Sequence, residues 1–525
     1  MPLQGILKRL FCFGEQVPRR SGCASRTMPT QICVPLIEEQ TGAIIDRMID
    51  LADQADLFEV RGDYVRDLDL LTIIRARTKP LIFTYRCESE GGRIRDDDPK
   101  RRLVLLEAVK RGYDYVDVEY RSQFHDIMVE KAGNGLVLSY HDISGTPDNL
   151  PSLYDRMCAA GADIVKIVTT PKSIADVATL AAFADKTSRG GGPPLVALAM
   201  GPLGAFTRIL AGRAEAPFTF ASSAVGSESA PGQITLKAMA DVYRARDVGR
   251  ETKVYGILGR GISHSLSPLI HNTAFKALGI DARYVPLEAE ALDAFIQAMP
   301  ALRLSGFSVT APYKVEILPY LDQVEEVAAL GGSVNTVVVR DSGMQGSSTD
   351  GIGVLAPLKK RVDVKGRKVA IVGAGGAARA AAFALHRKGA VVTLLARDPK
   401  KAAEVAAFVG CASGDLAKAA AYSWDVLVNA TPIGSLASAK ETPVPADRHR
   451  KGTVVFDMVY VPQDTRLLRE ARAAGCQTIG GLEMLLAQAE GQFEAWTGNP
   501  APADVMREAV LGYFEEADAE TSAQE

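Results

Sequence analysis

The sequence lacks the features of a membrane protein, a disulfide-stabilised protein or a nucleic-acid-binding protein. No uncharged apolar run approaches the roughly 18 residues that a membrane span requires. The stretch that comes closest, 369–385, is interrupted by Arg379. The seven cysteines are odd in number and never spaced C-x-x-C, which indicates reduced thiols. With 60 Lys and Arg against 63 Asp and Glu, no basic excess points to a nucleic acid or a membrane surface as partner.

Histidine is also scarce. The six histidines show no zinc-type spacing with the cysteines, so we expect no metal. The chain is, by contrast, long and rich in apolar residues. Its 525 residues exceed one ordinary domain, and the 47% apolar fraction supports large cores and excludes a disordered protein. We therefore expect about three domains and small-molecule partners, with the oligomeric state left open.

Residues 1–30 differ from the rest of the chain. They are basic, with Glu15 as their one acidic residue, and contain no apolar core of signal-peptide length. One interpretation is a disordered extension or an over-long start, because Met28 directly precedes the first strand-like run. A cytoplasmic protein would follow. The alternative is an organellar transit peptide, which would place the protein in a plastid.

From residue 31 onward, strand-length apolar runs alternate with helix-like segments such as 41–55 and 172–186. The runs lie at 31–36, 57–61, 80–86, 113–119, 135–140, 162–168, 194–200 and 217–222. Eight strands that alternate with helices are the sequence form of a closed parallel (β/α)₈ TIM barrel. We therefore predict an α/β protein whose first domain, 31–245, is such a barrel.

Polar side chains cluster where the predicted strands end, on the face where such barrels carry their active sites. Lys166 lies inside the apolar run IVKIV, and burial disfavours the charged form of a lysine. A neutral amine can attack a ketone and form a Schiff base. The alternative is a structural ion pair between Lys166 and Glu119. His141 is suited to move a proton next to an imine, and Arg208 to clamp a carboxylate. Their alternatives are a core histidine and a surface arginine.

Five motifs in this half resemble the type I 3-dehydroquinate dehydratase family. EVRGD, FTYRCESEGG, SYHDISGTP, VKIV and SAPGQ stand in this order within residues 30–240. That family is a barrel that forms a Schiff base with its substrate ketone and eliminates water. The resemblance implies Lys166 as the imine lysine, His141 as general acid and base, and Glu90 as the support of His141. The substrate-binding residues that it implies are Glu59, Arg61, Arg86, Arg208, Ser229 and Gln233.

A second α/β pattern begins after the charged segment 244–253. Ser265 and Ser267 in SHSLSP suit a carboxylate or a diol, although a serine-rich turn before a helix is more often a cap. Lys314 of VTAPYK and Asp350 of STDGIG make a plausible pair for moving a proton. The alternative for this pair is a surface lysine and an aspartate helix cap.

A glycine-rich turn, GAGGAAR at 373–379, follows the strand-like run KVAIV and precedes an alanine-rich helix. Gly373 and Gly375 fit the dinucleotide fingerprint, in which glycines let the backbone approach a pyrophosphate at a helix N-terminus. The next strand, 390–396, is followed by Arg397, whereas an acidic residue would be expected there for NAD.

The charges after this strand decide between the two nicotinamide cofactors. Arg397, Lys400 and Lys401 favour the 2′-phosphate of NADP(H), and Asp398 opposes them. We therefore expect NADP(H).

Residues 254–515 resemble shikimate dehydrogenase. The motifs are SHSLSP, VTAPYK, SVNT, STDG, GAGGAAR, NATPIG, DMVYVP and GGLEMLLAQA. They imply Lys314 and Asp350 as the catalytic pair. The implied substrate-binding residues are Ser265, Ser267, Thr310, Asn335, Tyr460 and Gln488. The predicted cofactor-binding residues are Gly373, Ala374, Gly375, Gly376, Ala377, Arg397, Lys401, Asn429 and Thr431.

Three departures from the shikimate dehydrogenase pattern are present. Ser308 replaces the asparagine that is usual in stand-alone enzymes, and Ser348 and Gly351 replace the usual asparagine and aromatic residue around TD. In the segment AR-D, only Arg397 of the family's NRT pattern is kept. These departures bear on the affinity for the substrate and the strength of cofactor binding rather than on the type of reaction.

The two resemblances combine into one function. The product of the dehydration, 3-dehydroshikimate, is the substrate of the reductase, and the arrangement resembles the plant-type bifunctional family. We expect a lyase and oxidoreductase of the shikimate pathway, which leads to chorismate and the aromatic amino acids. Two alternatives stay open: a quinate dehydrogenase, for which Ser267 and Thr310 leave little room, and one half kept only as a binding or regulatory module.

The expected domain order follows from these motifs. After the N-terminal extension and the barrel come a substrate domain and a Rossmann-like NADP domain, with the last helices packing back on the substrate domain and an acidic, disordered tail. The expected bounds are 254–355 for the substrate domain, 356–485 for the NADP domain, 486–515 for the returning helices and 516–525 for the tail.

Overall fold

The computed structural model describes residues 29–124, 127 and 135–524. The predicted N-terminal extension therefore lies outside the described residues, except for Pro29 and Thr30. Thr30 is buried, and its hydroxyl donates a hydrogen bond to the carbonyl of Ala216 at 2.9 Å.

The first sheet has eight parallel strands in the order β7-β6-β5-β4-β3-β2-β1-β8. They are β1 (Gln31–Leu36), β2 (Leu57–Arg61), β3 (Leu81–Thr84), β4 (Tyr115–Glu119), β5 (Gly135–Asp142), β6 (Ile164–Thr169), β7 (Leu195–Ala199) and β8 (Phe218–Phe220). Because β1 pairs with both β2 and β8, the sheet curls into a nearly closed barrel. In the described part of the chain, no ladder joins β7 to β8. The predicted (β/α)₈ barrel is confirmed.

Helices follow most of these strands. They are α1 (Thr41–Asp50), α2 (Leu70–Arg75), α3 (Lys100–Arg111), α4 (Leu150–Ala159), α5 (Ile174–Thr187) and α6 (Ala205–Ile209). α1 buries Thr41, Ile44 and Met48, a helical stripe that covers the outside of the barrel. α5 begins with a capping box, in which Ser173 and Asp176 satisfy each other's backbone amides.

The second sheet has the order β10-β9-β11-β13-β14-β12. Its strands are β9 (Lys253–Gly259), β10 (Ala282–Glu288), β11 (Gly306–Val309), β12 (Gln323–Val324), β13 (Thr336–Arg340) and β14 (Gly343–Ser347). β13 runs antiparallel to both of its neighbours. The accompanying helices are α7 (Ser267–Ala277), α8 (Leu292–Leu302), α9 (Glu326–Gly331) and α10 (Asp350–Lys359).

The third sheet is entirely parallel, in the order β17-β16-β15-β18-β19-β20. Its strands are β15 (Lys368–Val372), β16 (Val391–Ala396), β17 (Ala412–Asp415), β18 (Val426–Asn429), β19 (Val454–Asp457) and β20 (Gln477–Ile479). Its helices are α11 (Gly376–Arg387), α12 (Pro399–Val409) and α13 (Arg466–Ala473). This strand order is that of the Rossmann fold, whose ligand crevice lies between the first and fourth strands. The predicted Rossmann-like unit is confirmed.

The C-terminal region differs from the expected disordered tail. It forms two helices, α14 (Gly481–Thr497) and α15 (Ala503–Gln524), and the second extends through the predicted tail. Gly498 adopts φ 71° at the end of α14, the left-handed cap that commonly ends a helix. Pro500 and Pro502 follow, and prolines cannot continue the preceding helix. These signals explain the break between the two helices.

The two faces of the second sheet are covered by different parts of the chain. Val254 and Leu258 of β9 belong to the same apolar cluster as the outer layer of the barrel. Tyr255 and Ile257 point to the opposite face, as alternation along a strand requires, and pack with α7, α14 and α15. One face is therefore joined to the barrel through α8, and the other is covered by the last two helices.

Candidate active sites

The first candidate site is a cavity of about 310 Å³ at the carboxyl ends of the barrel strands. It brings together all the residues predicted for this half. They are Glu59, Arg61, Arg86, Glu90, His141, Lys166, Arg208, Ser229 and Gln233.

Lys166 faces the interior of the barrel because of strand alternation. Its neighbours two positions away on β6, Ile164 and Val168, belong to the interior cluster, so Lys166 points the same way. Its Nζ lies 3.1 Å from Asp117 Oδ2 and 3.4 Å from Glu59 Oε1. The amine is thus buried, faces the cavity and is held by two carboxylates.

The alternative interpretation, an ion pair between Lys166 and Glu119, is wrong about the partner. Glu119 instead forms an ion pair with Arg101 at 2.8 Å and accepts a hydrogen bond from the backbone amide of Cys87 at 2.9 Å. The sequence pattern could not separate Asp117 from Glu119, because both lie on β4 and point into the same interior.

Asp117 lies outside the sequence motifs, and a buried network that includes two motif residues, Arg86 and Ser139, holds it in place. Arg86 Nη2 lies 2.8 Å from Asp117 Oδ2, and the hydroxyl of Ser139 donates to Asp117 Oδ1 at 2.6 Å. Arg86 Nη1 in turn donates to Ser139 Oγ at 2.6 Å. Although burial acts in the opposite direction, the cations Arg86 and Lys166 lower the pKa of the Asp117 carboxyl. The carboxylate is therefore fixed beside Lys166.

His141 and Glu90 form a pair at the mouth of the barrel. His141 Nδ1 lies 3.0 Å from Glu90 Oε2, and the backbone amide of His141 donates to the same oxygen at 2.9 Å. Burial raises the pKa of Glu90 to about 7. Burial, followed by the nearby Arg86 and Lys166, lowers the pKa of His141 well below its usual range. Because Nδ1 is engaged with Glu90, Nε2 is the nitrogen left for the cavity.

Two arginines in the cavity differ in how they are held. Arg61 forms two hydrogen bonds with Asp63, at 2.9 and 2.8 Å. Arg208 is 2% exposed, and among the described residues no group accepts a hydrogen bond from its Nε. Burial lowers the pKa of Arg208 to about 10. A buried cation with unused donors at a cavity is suited to an anionic ligand.

The second candidate site is a cavity of about 270 Å³ between the second and third sheets. Seven of the eight residues predicted for the reaction and substrate of this half line it: Ser265, Ser267, Thr310, Lys314, Asp350, Tyr460 and Gln488. Lys314 Nζ lies 2.5 Å from Asp350 Oδ2, so the proposed proton-handling pair is in direct contact.

Asn335 is the predicted residue that does not line this cavity. It is 1% exposed, and its side-chain amide donates to Asp350 Oδ1 at 2.9 Å and to Gln488 Oε1 at 3.1 Å. Its carbonyl oxygen accepts from the backbone amide of Thr349 at 2.9 Å. Asn335 therefore lies behind the cavity wall and holds two of the residues that line the cavity, Asp350 and Gln488.

The third cavity, of about 650 Å³, lies at the Rossmann crevice. Six of the predicted cofactor-binding residues line it: Gly373, Ala374, Gly375, Arg397, Lys401 and Thr431. Gly375 precedes α11, and a Cβ atom there would meet open space. Gly373 has φ 129°, which requires glycine. The open N-terminus of α11 and the exposed Arg397 therefore fit the pyrophosphate and the 2′-phosphate of NADP.

The other three predicted cofactor residues lie outside this lining. A Cβ atom at Gly376 would lie 3.2 Å from Lys314 Cβ, so glycine allows the lysine to pack against the start of α11. Ala377 lines the substrate cavity. Asn429 is fully buried and donates to Asp457 Oδ1 at 2.9 Å.

Asn429 is part of a link between two loops. Its carbonyl oxygen accepts from the backbone and the hydroxyl of Thr431. Asp457 also accepts from the backbone amide of Val459 and from the hydroxyl of Thr465. This network joins the loop that lines the cofactor cavity to the segment carrying Tyr460 in the substrate cavity. Asp457 opens the motif DMVYVP, but the motif does not show its bond to Asn429, which lies 28 residues earlier.

Asp398, the acidic residue that opposed NADP in the sequence, has a local partner. Its carboxylate caps α12 by accepting from the backbone amides of Lys400 and Lys401, at 3.0 and 3.3 Å. An aspartate in this role satisfies otherwise unpaired amides at the start of a helix.

Two negative observations apply to the described residues alone. Within them, no group of three or more His, Cys, Asp and Glu side chains could hold a metal ion. No helix among them is long and apolar enough to cross a membrane.

The fold and the cavities define a class of protein. A barrel with a buried lysine beside a histidine–carboxylate pair is joined to a Rossmann-type dehydrogenase, so the chain is a fusion of a lyase and an oxidoreductase. Family models match accordingly: "Type I 3-dehydroquinase" at residues 32–250, "Shikimate dehydrogenase substrate binding domain" at 257–337 and "Shikimate 5'-dehydrogenase C-terminal domain" at 481–511.

One curated relative matches nearly the whole chain. The chloroplastic bifunctional 3-dehydroquinate dehydratase/shikimate dehydrogenase of Arabidopsis thaliana is 37% identical over 519 residues, which cover 92% of this chain and 85% of the relative. The chain therefore belongs to the family of bifunctional 3-dehydroquinate dehydratase/shikimate dehydrogenases. The predicted enzyme of two consecutive steps in the shikimate pathway is confirmed.

Other similar proteins match one or both halves. The shikimate dehydrogenase (NADP(+)) of Thermococcus kodakarensis is 42% identical and covers 50% of this chain and 97% of its own, in agreement with the predicted cofactor. Among solved structures, the dehydroquinate dehydratase and shikimate dehydrogenase from S. pombe covers 93% of this chain and 99% of its own, at 26% identity and a TM-score of 0.41. The shikimate dehydrogenase from Thermus thermophilus in complex with NADP(H) and shikimate covers 49% and 98%, at 35% identity and a TM-score of 0.46.

Proposed function

We propose that the barrel cavity dehydrates 3-dehydroquinate through Lys166. The amine of Lys166 attacks the ketone carbon and, with loss of water, forms an imine that acidifies the proton on the adjacent carbon. Asp117 and Glu59 lie within 3.4 Å of Nζ and hold the amine in position for the attack. The observation that supports this assignment is the buried lysine in one cavity with the His141–Glu90 pair.

His141 carries out the proton transfers of the elimination. Nε2 removes the proton next to the imine carbon, and the hydroxyl on the following carbon departs with a proton returned by the histidine, as water. Hydrolysis of the imine then releases 3-dehydroshikimate and restores Lys166. Arg208, buried and available as a donor at the cavity, binds the carboxylate of the substrate. Ser229 and Gln233, which bond each other at 3.1 Å, hold the substrate from the loop after β8.

The reduction of 3-dehydroshikimate to shikimate takes place where the second and third cavities hold the substrate and the cofactor. NADPH, when bound, supplies the hydride that reduces the ketone carbon. Lys314 donates a proton to the ketone oxygen, and Asp350 orients Lys314 at 2.5 Å. Ser265 and Ser267 bind the carboxylate, and Thr310, Tyr460 and Gln488 line the rest of the cavity. Gly376, at which any side chain would crowd Lys314, brings the lysine close to the cofactor turn.

The test separates the two reactions. Lys166→Ala should abolish dehydration and leave the reduction of added 3-dehydroshikimate intact, because the two cavities have no residue in common. Lys314→Ala should do the converse and slow the reductase by about 10²–10⁴-fold, which is typical of general acid–base groups. A coupled assay with 3-dehydroquinate and NADPH follows both steps.

Borohydride trapping identifies the imine lysine directly. With 3-dehydroquinate present, reduction should attach the substrate to the peptide that contains Lys166 in the wild type and not in Lys166→Ala. Attachment at another lysine, or normal dehydration by the variant, would show that the imine forms elsewhere.

The location in the cell is a separate proposal. A cytoplasmic location follows if residues 1–30 are a disordered extension or an over-long start, whereas the chloroplastic Arabidopsis relative supports the transit-peptide interpretation of this segment. Import of a fluorescent protein that carries residues 1–30 into isolated plastids would favour the second location, and its absence the first.

A further inference from the structure

The nitrogen of Lys166 is surrounded by groups that favour a positive charge. Asp117 Oδ2 lies 3.1 Å and Glu59 Oε1 lies 3.4 Å from Nζ, and the ring of Phe220 faces the same nitrogen, with its centroid 4.4 Å away. A nearby carboxylate favours the charged form of a base, and the face of an aromatic ring attracts a cation. Because the lysine side chain is only 6% exposed, water does little to screen these interactions.

The two carboxylates differ in what else they can contact. Glu59 lines the cavity and accepts a hydrogen bond from the hydroxyl of Thr84 at 2.8 Å, so it can also meet a substrate. Asp117 is 1% exposed and does not line the cavity. Its Oδ2 contacts Lys166 Nζ and Arg86 Nη2. The carboxylate of Asp117 therefore acts on Nζ rather than on the substrate.

Both oxygens of this carboxylate are held in place. The hydroxyl of Ser139 donates to Oδ1 at 2.6 Å, and Arg86 contacts Oδ2 at 2.8 Å. A charge that is fixed before the reaction needs no reorganisation when the charge of the intermediate develops. Titratable groups also face Lys166, Asp117 and Arg86 from the surrounding strands: Cys33 of β1, Glu59 of β2, His141 of β5 and Glu119 further along β4.

The formation of the imine keeps one positive charge at this nitrogen. Overall, the ammonium of Lys166 and the ketone of the substrate become a protonated imine, or iminium, and one water. A bond forms between Nζ and the former ketone carbon, one of the three Nζ protons stays, and two leave with the ketone oxygen. A carboxylate that faces the ammonium therefore also faces the iminium. The positive charge of the iminium is what acidifies the proton that His141 removes.

We propose that Asp117 is a catalytic residue of the dehydratase, the counter-ion that keeps the imine of Lys166 protonated while His141 removes the adjacent proton. This inference rests on the proposed function, in which Lys166 forms that imine. It also gives a role to Ser139, which holds the counter-ion and to which the family resemblance assigns none.

The test is Asp117→Asn, which keeps the size of the side chain and removes its charge. The kcat of an enzyme reports the titrating groups of the enzyme–substrate complex. The alkaline limb of the dehydratase, the pH range in which its kcat falls, should move to lower pH by about 1–3 units, the effect of one opposite charge at this distance. A purely structural role would instead lower kcat equally at every pH. The kcat of the reductase should stay unchanged.

The matched control is Glu119→Gln. Glu119 is a carboxylate on the same strand and is equally buried, at 1% exposed, but it pairs with Arg101 at 2.8 Å rather than with Lys166. Its variant should keep the alkaline limb of the wild type, whatever its maximal rate. An unmoved limb in Asp117→Asn, or an equal movement in Glu119→Gln, would overturn the inference.

A second variant covers the case in which Asp117→Asn does not fold. Ser139→Ala keeps the charge of Asp117 and removes the hydroxyl that holds Oδ1, so the alkaline limb should move in the same direction, and an unmoved limb would again contradict the inference. Borohydride trapping separates this result from the proposed function. An adduct at Lys166 in the wild type together with an unmoved limb rejects the counter-ion alone, whereas an adduct at another lysine rejects the imine assignment itself.

Discussion

At the scale of single residues, the dehydratase activity of the barrel depends on where one proton lies between His141 and Glu90. When Glu90 is protonated, it donates to Nδ1, and the proton of the neutral imidazole lies on Nε2, facing the cavity. When Glu90 is ionised, it accepts from Nδ1, and Nε2 becomes free to act as a base. The pKa of Glu90 is about 7 and that of His141 is lowered. The state with ionised Glu90 and free Nε2 therefore becomes more populated as the pH rises through neutrality.

This proton position predicts the pH profile of dehydration. The kcat/KM for 3-dehydroquinate should increase with pH and level off above about 7, the pKa of Glu90, because kcat/KM reports the free enzyme. Glu90→Gln, whose amide does not titrate, should lower the plateau and remove this inflection. The reductase of the same variant serves as the control and should keep its own profile. An inflection that persists in Glu90→Gln would assign it to another group.

At the scale of elements, most of the fold could be predicted from the strand patterns. The eight barrel strands and the glycine turn after β15 follow from local apolar runs and spacing, so the fold could be read from the sequence. The roles of Asn335 and Asn429 could not, because each is decided by partners far along the chain, such as Gln488 and Asp457. The motifs identified these asparagines as important without showing that they lie behind the cavities.

The turn after β16 is an element on which the cofactor preference depends. Arg397→Ala should erase most of the preference for NADPH over NADH, about one to two decades, because it removes charge-assisted hydrogen bonds to the 2′-phosphate. Asp398→Thr should increase the preference, since it removes a negative charge and threonine can still cap α12. Comparing kcat/KM for both cofactors in the three proteins measures the effect. A wild type that prefers NADH would mean that Asp398 binds the ribose.

At the scale of the whole molecule, the two faces of the second sheet allow the thermal stability of the reductase half to be changed without that of the barrel. Trp496 packs with Tyr255 and His271 and donates to the carbonyl of Val337 at 3.0 Å. This contact lies on the face away from the barrel. In the barrel, Phe83 of β3 packs against the rings of Tyr85 and Tyr113.

Trp496→Ala should therefore lower the temperature at which reductase activity is lost and leave that of the dehydratase nearly unchanged. Removing a buried tryptophan costs about 3–5 kcal/mol of stability, which is a large part of the stability of one domain. Residual activities after heating, with calorimetry of the same samples, check this outcome. Phe83→Ala is the converse control and should affect the dehydratase first. Equal loss of both activities in Trp496→Ala would indicate one cooperative unit.

The cover of the second sheet by α14 and α15 also has a consequence for synthesis on the ribosome. Every strand of the barrel has been made by residue 220, before the second sheet begins at residue 253. The second sheet must wait, with its outer face exposed, until the whole nucleotide domain has been translated and Trp496 and Met506 emerge to cover it. Domains generally fold in the order of synthesis. A nascent chain would thus become a dehydratase well before it becomes a reductase, and interrupted translation would yield the first enzyme without the second.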